Sequence, residues 1–76
     1  MNHTIPDQIL VAGEFFGPDS KDEPMLVGKV VAILRDTDND QFCIFEMADM
    51  AGLFSIHLGS NFWLGWYADG EWHRRR

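Results

Sequence analysis

Three aspartates in the segment "RDTDNDQ" have a spacing that could bind a calcium ion. Asp36, Asp38 and Asp40 occupy alternate positions, as do the first three oxygen ligands of a twelve-residue calcium loop. That loop also needs glycine at its sixth position and a bidentate glutamate at its twelfth, where this chain has Gln41 and Met47. We therefore predict no metal site here and interpret the segment as a hairpin loop whose Asp and Asn side chains bond to their own backbone.

The residue types that catalysis needs are present, but the sequence does not group them as an active site would require. Cys43 lies in an apolar run, where a thiol is typically inert, and the serines lack the glycine context of a hydrolase nucleophile. Metal-ligand spacing is absent from the three histidines, His3, His57 and His73. Glu46 and Asp49 are near enough to form an acid–base pair, but carboxylates beside a turn are usually solvated. We therefore predict a protein that is not an enzyme and uses no cofactor.

The closing stretch, "FWLGWYADGEWHRRR" (62–76), has the residue types of a binding surface. It contains all three tryptophans, the only tyrosine and half of the six basic residues. Trp, Tyr and Arg are the types most enriched at binding hot spots, and aromatic rings also stack on the bases of single-stranded nucleic acids. The predicted partner-binding residues are Trp63, Tyr67, Trp72, Arg74, Arg75 and Arg76.

The dipeptide Asp69-Gly70 predicts a hairpin within this stretch, because a two-residue type I′ turn needs positive φ at both central positions. Such a turn sets every cross-strand pair, from Ala68 opposite Glu71 to Trp63 opposite Arg76. The face that we take as the core side carries Phe62, Leu64, Trp66, His73 and Arg75. The candidate surface is the other face, which carries Trp63, Tyr67, Trp72, Arg74 and Arg76, with a gap at Gly65. In the alternative interpretation both faces are buried and the arginines extend into solvent.

Gly, Pro and polar segments divide the rest of the chain into short β-like runs. These runs are 8–16, 25–34, 42–47 and 53–58, and the closing hairpin follows at 62–75. The run 25–34 is apolar on both alternating faces, which is typical of a central strand covered on both sides. In 53–58 apolar and polar residues alternate, which places His57 on the solvent side.

The spacing of these runs predicts an all-β fold, a small antiparallel meander curled into a barrel-like or open-sandwich sheet. One alternative remains. The segment "EMADMAG" contains good helix formers followed by glycine, and a short helix near 46–51 would make the fold α+β.

Length and composition predict a single domain spanning 1–76, with residues 1–7 and 74–76 as its more flexible ends. A hydrophobic content of 46% and an aromatic content of 13% argue against a disordered chain. A chain this short buries only about 60% of its unfolded surface, so that pairing with another protein would add stability. Both a monomer and a homodimer remain open.

The formal net charge of −6 is unevenly distributed. Residues 1–73 carry twelve acids against three bases, whereas 74–76 are three consecutive arginines. No apolar run approaches the roughly 20 residues of a membrane span, and the start "MNHTIPDQIL" lacks the features of a signal peptide. We therefore expect a cytoplasmic protein that does not contact membranes and, having one cysteine, forms no internal disulfide.

Two classes of function are consistent with these features. The expected one is a protein-interaction module, an inhibitor or regulator of a larger protein such as a nucleic-acid-handling enzyme. In size and charge alone, the chain resembles the small host-directed regulators that phages encode. The alternative is a single-strand nucleic-acid binder that stacks bases on the hairpin aromatics and holds phosphates with the arginines, which the acidic body disfavours. A subunit or assembly factor of a larger structure is a third possibility.

Overall fold

The computed structural model describes residues 5–18 and 25–75, which form a single antiparallel sheet. Its strands are β1 (Gln8–Val11), β2 (Leu26–Arg35), β3 (Gln41–Glu46), β4 (Phe54–His57), β5 (Trp63–Ala68) and β6 (Glu71–Arg74). Their order across the sheet is β4-β3-β2-β1-β5-β6, which leaves β4 and β6 at the two edges. The predicted all-β fold, a curled and open sheet, is confirmed.

The first four strands form the predicted meander, but β5 does not continue it. After β4 the chain crosses to the far side of β1, where β5 pairs with β1 and β6 then pairs with β5. Leu58 and Trp63, at the two ends of this connection, pack against the same core. Both ends of the crossing connection therefore add apolar side chains to the core.

The concave side of the sheet holds the hydrophobic core. Outward-facing residues alternate with the inward-facing ones along β1, β3 and β4, as the period of two in a strand requires. Phe45 has the largest fully buried side chain, and it lies close to the β2 backbone, so that a Cβ added at Gly28 would be 2.5 Å from its ring. The buried apolar residues are Ile9, Val11, Cys43, Phe45, Met47 and Ile56.

A one-turn 3₁₀ helix at Gly13–Phe16 follows β1. The sequence predicts a strand through this segment, and that prediction is wrong. The turn places Phe15 and Phe16 against Phe45, with ring centroids 5.9 and 6.4 Å from it, and sets Phe16 edge-to-face with Phe54 at 5.2 Å. Because each such pair contributes about 0.5–1.5 kcal/mol, these tertiary contacts outweigh the local preference for a strand.

The residues 46–51 form no helix, so the α+β alternative is wrong. Glu46 is still in β3, where it pairs with Lys29, and the chain then makes a turn in which the Met50 amide donates to the Met47 carbonyl at 3.4 Å. Pairing with β2 thus outweighs the helix propensity of this segment. No helix within the described ranges is long and apolar enough to cross a membrane.

The outer face of β2 is uncovered, which contradicts the prediction of a strand buried on both sides. Val27, Val31 and Leu34 are 42%, 45% and 52% exposed. The reason is that one sheet, without a second layer, covers only its own concave side. The outer face therefore presents apolar side chains of the kind that often mark an interaction surface.

Cys43 in β3 has no exposed surface, as the sequence predicts. Burial raises the pKa of its thiol from 9.0 to about 11. Since the thiolate is the nucleophile, we expect a disulfide reagent at pH 8 to label the native protein at least about tenfold more slowly than the urea-unfolded protein. Equal labelling rates would contradict this expectation.

The same thiol makes stability depend on pH in the alkaline range. The pKa of the thiol is higher in the folded than in the unfolded state. The contribution of the buried thiol to the free energy of unfolding is therefore fully present below pH 9 and is lost as pH rises towards about 11. We expect the free energy of unfolding to fall by up to about 1.4 kcal/mol per pH unit across this window. Urea denaturation at several pH values measures the slope, and Cys43→Ala should make it shallower. An unchanged slope in the variant would contradict the assignment.

Candidate functional site

The closing hairpin forms with the predicted turn and register. Asp69 and Gly70 have φ angles of 55° and 81°, as a type I′ turn requires. The Arg75 amide donates to the Leu64 carbonyl at 2.9 Å, which extends the ladder beyond β6. Arg76, predicted opposite Trp63, lies outside the described residues. The confirmed pairs are Ala68–Glu71, Tyr67–Trp72, Trp66–His73 and Gly65–Arg74.

A β-bulge in β5 places Trp63 on the face opposite to the predicted one. The register against β1 shifts at Leu64, which becomes an extra residue on β5. An extra residue reverses the alternation of side chains beyond it. Trp63 therefore lies beside Trp66, with ring centroids 5.0 Å apart, and both pack against the core. The prediction that Trp63 belongs to the outer face is wrong.

Arg75 is engaged within the protein itself. Its guanidinium carbon lies 4.7 Å from the centroid of the Trp63 ring, a cation–π contact. Its Nη1 also donates to the backbone carbonyls of Ser60 and Trp63, the latter at 3.1 Å. Arg75 thus attaches the end of the hairpin to the connection between β4 and β5.

Tyr67 and Trp72 form an aromatic pair on the outer face of the hairpin. Their ring centroids are 4.8 Å apart, and Trp72 is 48% exposed. Arg74 is exposed two residues further along β6 and forms no ion pair with any residue that the structure describes. We call Tyr67, Trp72 and Arg74 the hairpin surface.

The hairpin surface continues onto β1 and β2 along the outer face of the sheet. Gln8 lies opposite both Tyr67 and Lys29, which continues the row of Trp72 and Tyr67 onto β1 and β2. An adjacent row contains Leu10, which lies opposite Val27. The outer face of this half of the sheet therefore combines aromatic, aliphatic and cationic side chains.

An open groove of about 600 Å³ lies beside the hairpin. Its apolar lining includes Leu10, Met25 and Leu64, and its cationic lining is Arg74 and Arg75. A groove with these walls fits a group that is partly apolar and partly anionic, because arginine pairs well with carboxylate and phosphate.

The aspartate loop satisfies its own backbone. The Oδ1 atom of Asp36 accepts hydrogen bonds from the amides of Asp38 and Asp40, at 2.9 and 3.0 Å. Arg35 donates to the side-chain oxygen of Asn39 at 2.8 Å, and Asn39 has a φ of 69°. The prediction that the loop side chains bond to their own backbone is confirmed for Asp36, whereas the Asn39 side chain bonds to the Arg35 side chain.

The carboxylates of Asp36, Asp38 and Asp40 nevertheless have oxygen atoms within 4.8 Å of one another. All three residues are exposed, and one oxygen of Asp36 is already used by the loop backbone. We expect no specific calcium binding, and calorimetric titration checks this. A one-to-one site of micromolar affinity that Asp38→Ala abolishes would contradict the expectation.

His57 has a structural role that the sequence did not indicate. Its Nδ1 accepts a hydrogen bond from the Gly59 amide at 3.0 Å, which closes the turn after β4. Its Nε2 lies 3.6 Å from a carboxylate oxygen of Asp40, and its ring packs edge-on against Phe42.

Within the described ranges, the aspartate loop is the only group of three or more His, Cys, Asp or Glu residues whose ligand atoms come together.

Comparison with known proteins finds no family model, no curated protein and no solved structure that matches this chain. An assignment of function therefore depends on the hairpin surface and its surroundings.

Proposed function

We propose that this protein is a small interaction module that binds a larger protein through its hairpin surface and thereby inhibits or regulates it. The observation that carries the proposal is the half-exposed Trp72, packed against Tyr67 on an edge hairpin, with Arg74 exposed beside it. Binding hot spots are enriched in these three residue types, and truncating one typically costs 2 kcal/mol or more.

The apolar residues around the hairpin support a contact larger than the hairpin alone. Val27 and Met25 are 42% and 47% exposed, and Leu10 lies between β2 and the hairpin on the outer face. A single sheet with one open face leaves this surface in water, where burial against a partner would be favourable at about 25 cal/mol per Å².

The charge distribution supports a partner that is basic where it faces the acidic body of the protein, outside the hairpin surface. Residues 1–73 carry twelve acids against three bases, so the body of the protein attracts basic surfaces. Nucleic-acid-handling enzymes present such surfaces. A regulator that covers one of them, as small phage-encoded proteins do, agrees with the size and charge of this chain.

Single-strand nucleic-acid binding is the second candidate, since Tyr67 and Trp72 beside Arg74 would suit base stacking with a phosphate contact. Two observations favour a protein partner instead. Trp63, the third aromatic residue predicted to stack on bases, packs against the core. The acidic body would also repel a polyanion.

Capture from a host lysate tests the proposal. Trp72→Ala combined with Arg74→Ala should abolish capture of the partner by the immobilised protein, with mass spectrometry as the readout. Because both side chains are exposed, the far-ultraviolet circular dichroism and the thermal melt should remain close to those of the original protein. The matched control, Leu53→Ala with Arg35→Ala, removes an exposed apolar residue and an exposed arginine from outside the hairpin and should leave capture intact.

Two results would contradict the proposal. If the double variant unfolds, the hairpin surface is structural. If single-stranded DNA quenches tryptophan fluorescence strongly, with an affinity that falls steeply between roughly 50 and 200 mM salt, the nucleic-acid function replaces the proposed one.

A further inference from the structure

Strand β6 offers an open backbone edge. The Arg75 amide is directed at β5, where it donates to Leu64. In an antiparallel strand, the backbone N–H and C=O groups of successive residues point alternately to the two lateral edges of the strand. Those of Trp72 and Arg74 therefore point away from β5. All four residues of β6 are exposed, and β6 is the last strand of the described sheet.

The charge along this edge differs in sign from the rest of the protein. Residues 71–75 carry two arginines, Arg74 and Arg75, and one acid, Glu71. Residues 1–73, by contrast, carry nine more acids than bases. Arg75 uses Nη1 on backbone carbonyls of its own chain. Arg74, by contrast, forms no ion pair with the described residues, and it lines the groove together with Leu10 and other apolar residues.

We propose that the open edge of β6 binds an extended acidic segment of the partner by β-strand addition. The segment would pair with the backbone of Trp72 and Arg74, set a carboxylate against the Arg74 guanidinium and place an apolar side chain in the groove. In this mode backbone hydrogen bonds supply affinity and side-chain contacts supply specificity. The proposal rests on the proposed function and specifies the chemistry of the partner's segment.

Other occupants of the edge fit the observations less well. A second copy would present two arginines and only one glutamate over 71–75 to an edge that is already positive, so it complements the charge of β6 less well than an acidic segment does. A nucleic acid has phosphates for Arg74 but lacks the alternating amide donors and acceptors of a strand. The other sheet edge, β4, carries no lysine or arginine to select an acidic segment.

The test is an NMR titration of the full chain with two blocked six-residue peptides, Thr-Asp-Thr-Val-Thr-Asp and the same sequence with lysine in place of aspartate, which carry the charged and apolar side chains on one face of a strand. The aspartate peptide should shift the amide signals of Trp72 and Arg74 and slow their hydrogen exchange, and the lysine peptide should do neither. Arg74→Gln should weaken binding of the aspartate peptide about tenfold, as expected for the loss of a charged hydrogen bond. Arg74→Glu should reverse the preference to the lysine peptide.

A second pair of variants separates the backbone contribution from the charge. Arg74→Pro removes the outward amide as well as the charge, and proline is tolerated where a strand amide faces solvent. It should therefore bind the aspartate peptide more weakly than Arg74→Gln does. Arg35→Gln, which removes an arginine at the end of β2, is the matched control and should bind like the original protein.

Three outcomes would overturn the proposal. The first is that the aspartate peptide does not bind at millimolar concentration although the hairpin variants still fail to capture the protein partner. In that case the β6 edge site is wrong and the proposed function is retained. The second is binding that leaves the Trp72 and Arg74 amides unshifted. The third is a thymidine oligonucleotide that shifts these amides when neither peptide does. If the aspartate peptide binds at β6 while hairpin variants capture the host partner normally, the edge site is supported and the proposed function alone is contradicted.

Discussion

Replacing Phe45 with alanine should destabilise the protein by about 3–5 kcal/mol. Phe45 has no exposed surface and is packed by the rings of Phe15, Phe16 and Phe54, with centroid distances of 5.9, 6.4 and 5.7 Å. Truncation would remove the contact of the 3₁₀ helix with β3 and leave a cavity between the 3₁₀ helix, β2 and β4. Because a protein of this kind has only about 5–15 kcal/mol of stability in total, the variant should be largely unfolded at moderate urea concentrations.

Urea denaturation followed by tryptophan fluorescence measures this effect. Phe62→Ala is the matched control, since Phe62 is 39% exposed and its ring contacts Phe15 at 6.2 Å. We expect the control to lose less than half as much stability. A loss below about 1 kcal/mol for Phe45→Ala would show that the aromatic cluster is not the centre of the core.

Replacing Gly65 with alanine should detach β6 from the sheet, at a cost of about 3 kcal/mol, the upper part of the usual range for overpacking. An added Cβ would lie 2.5 Å from the His73 carbonyl oxygen and 3.2 Å from the Arg74 Cα. These are backbone atoms of the paired strand, which cannot rotate aside as a side chain can. The sequence interpretation of Gly65 as a gap among the rings is therefore wrong, because the space above Gly65 is filled by the β6 backbone.

Detachment of β6 in the Gly65→Ala variant should also be visible by spectroscopy and in partner binding. The Tyr67–Trp72 contact should disappear, as seen in the near-ultraviolet circular dichroism, and capture of the partner should be lost with it. Gly59→Ala is the matched control, since its Cβ would meet only the His57 ring, at 2.7 Å, and displacing that ring would break local contacts with Gly59 and Phe42 but no strand pairing. A Gly65→Ala protein with normal stability and an intact Tyr67–Trp72 signal would contradict this account of β6.

The sequence by itself determined the parts of this protein that depend on neighbouring residues. Asp69-Gly70 specifies a turn because both positions tolerate positive φ, and the turn length then sets the pairs of β5 and β6. Alternation placed Ile56 inside and Ser55 outside, and the apolar run around Cys43 predicted its burial. These features are local, since turn chemistry and the period of a strand operate within a few residues.

The position of β5 was decided only by the tertiary structure. Nothing in the local pattern indicates that β5 pairs with β1 on the far side of the sheet. Nor does it indicate that this pairing inserts Leu64 as a bulge. The glycine at 65 was the available signal, since a glycine inside a strand often marks a bulge. The bulge moved Trp63 into the core and beneath Arg75, so two of the six predicted binding residues contact the protein itself.

The candidate site therefore depends both on local sequence patterns and on long-range strand pairing. Residue types in the closing stretch identified Tyr67, Trp72 and Arg74, and the local turn placed them on one face. Long-range pairing then left β6 at the sheet edge, left Val27 exposed on the open outer face, and bent Gly13–Phe16 into a 3₁₀ turn against the core. These outcomes depend on which strands meet and which rings pack together across the fold, and a linear pattern of apolar and polar residues does not contain that information.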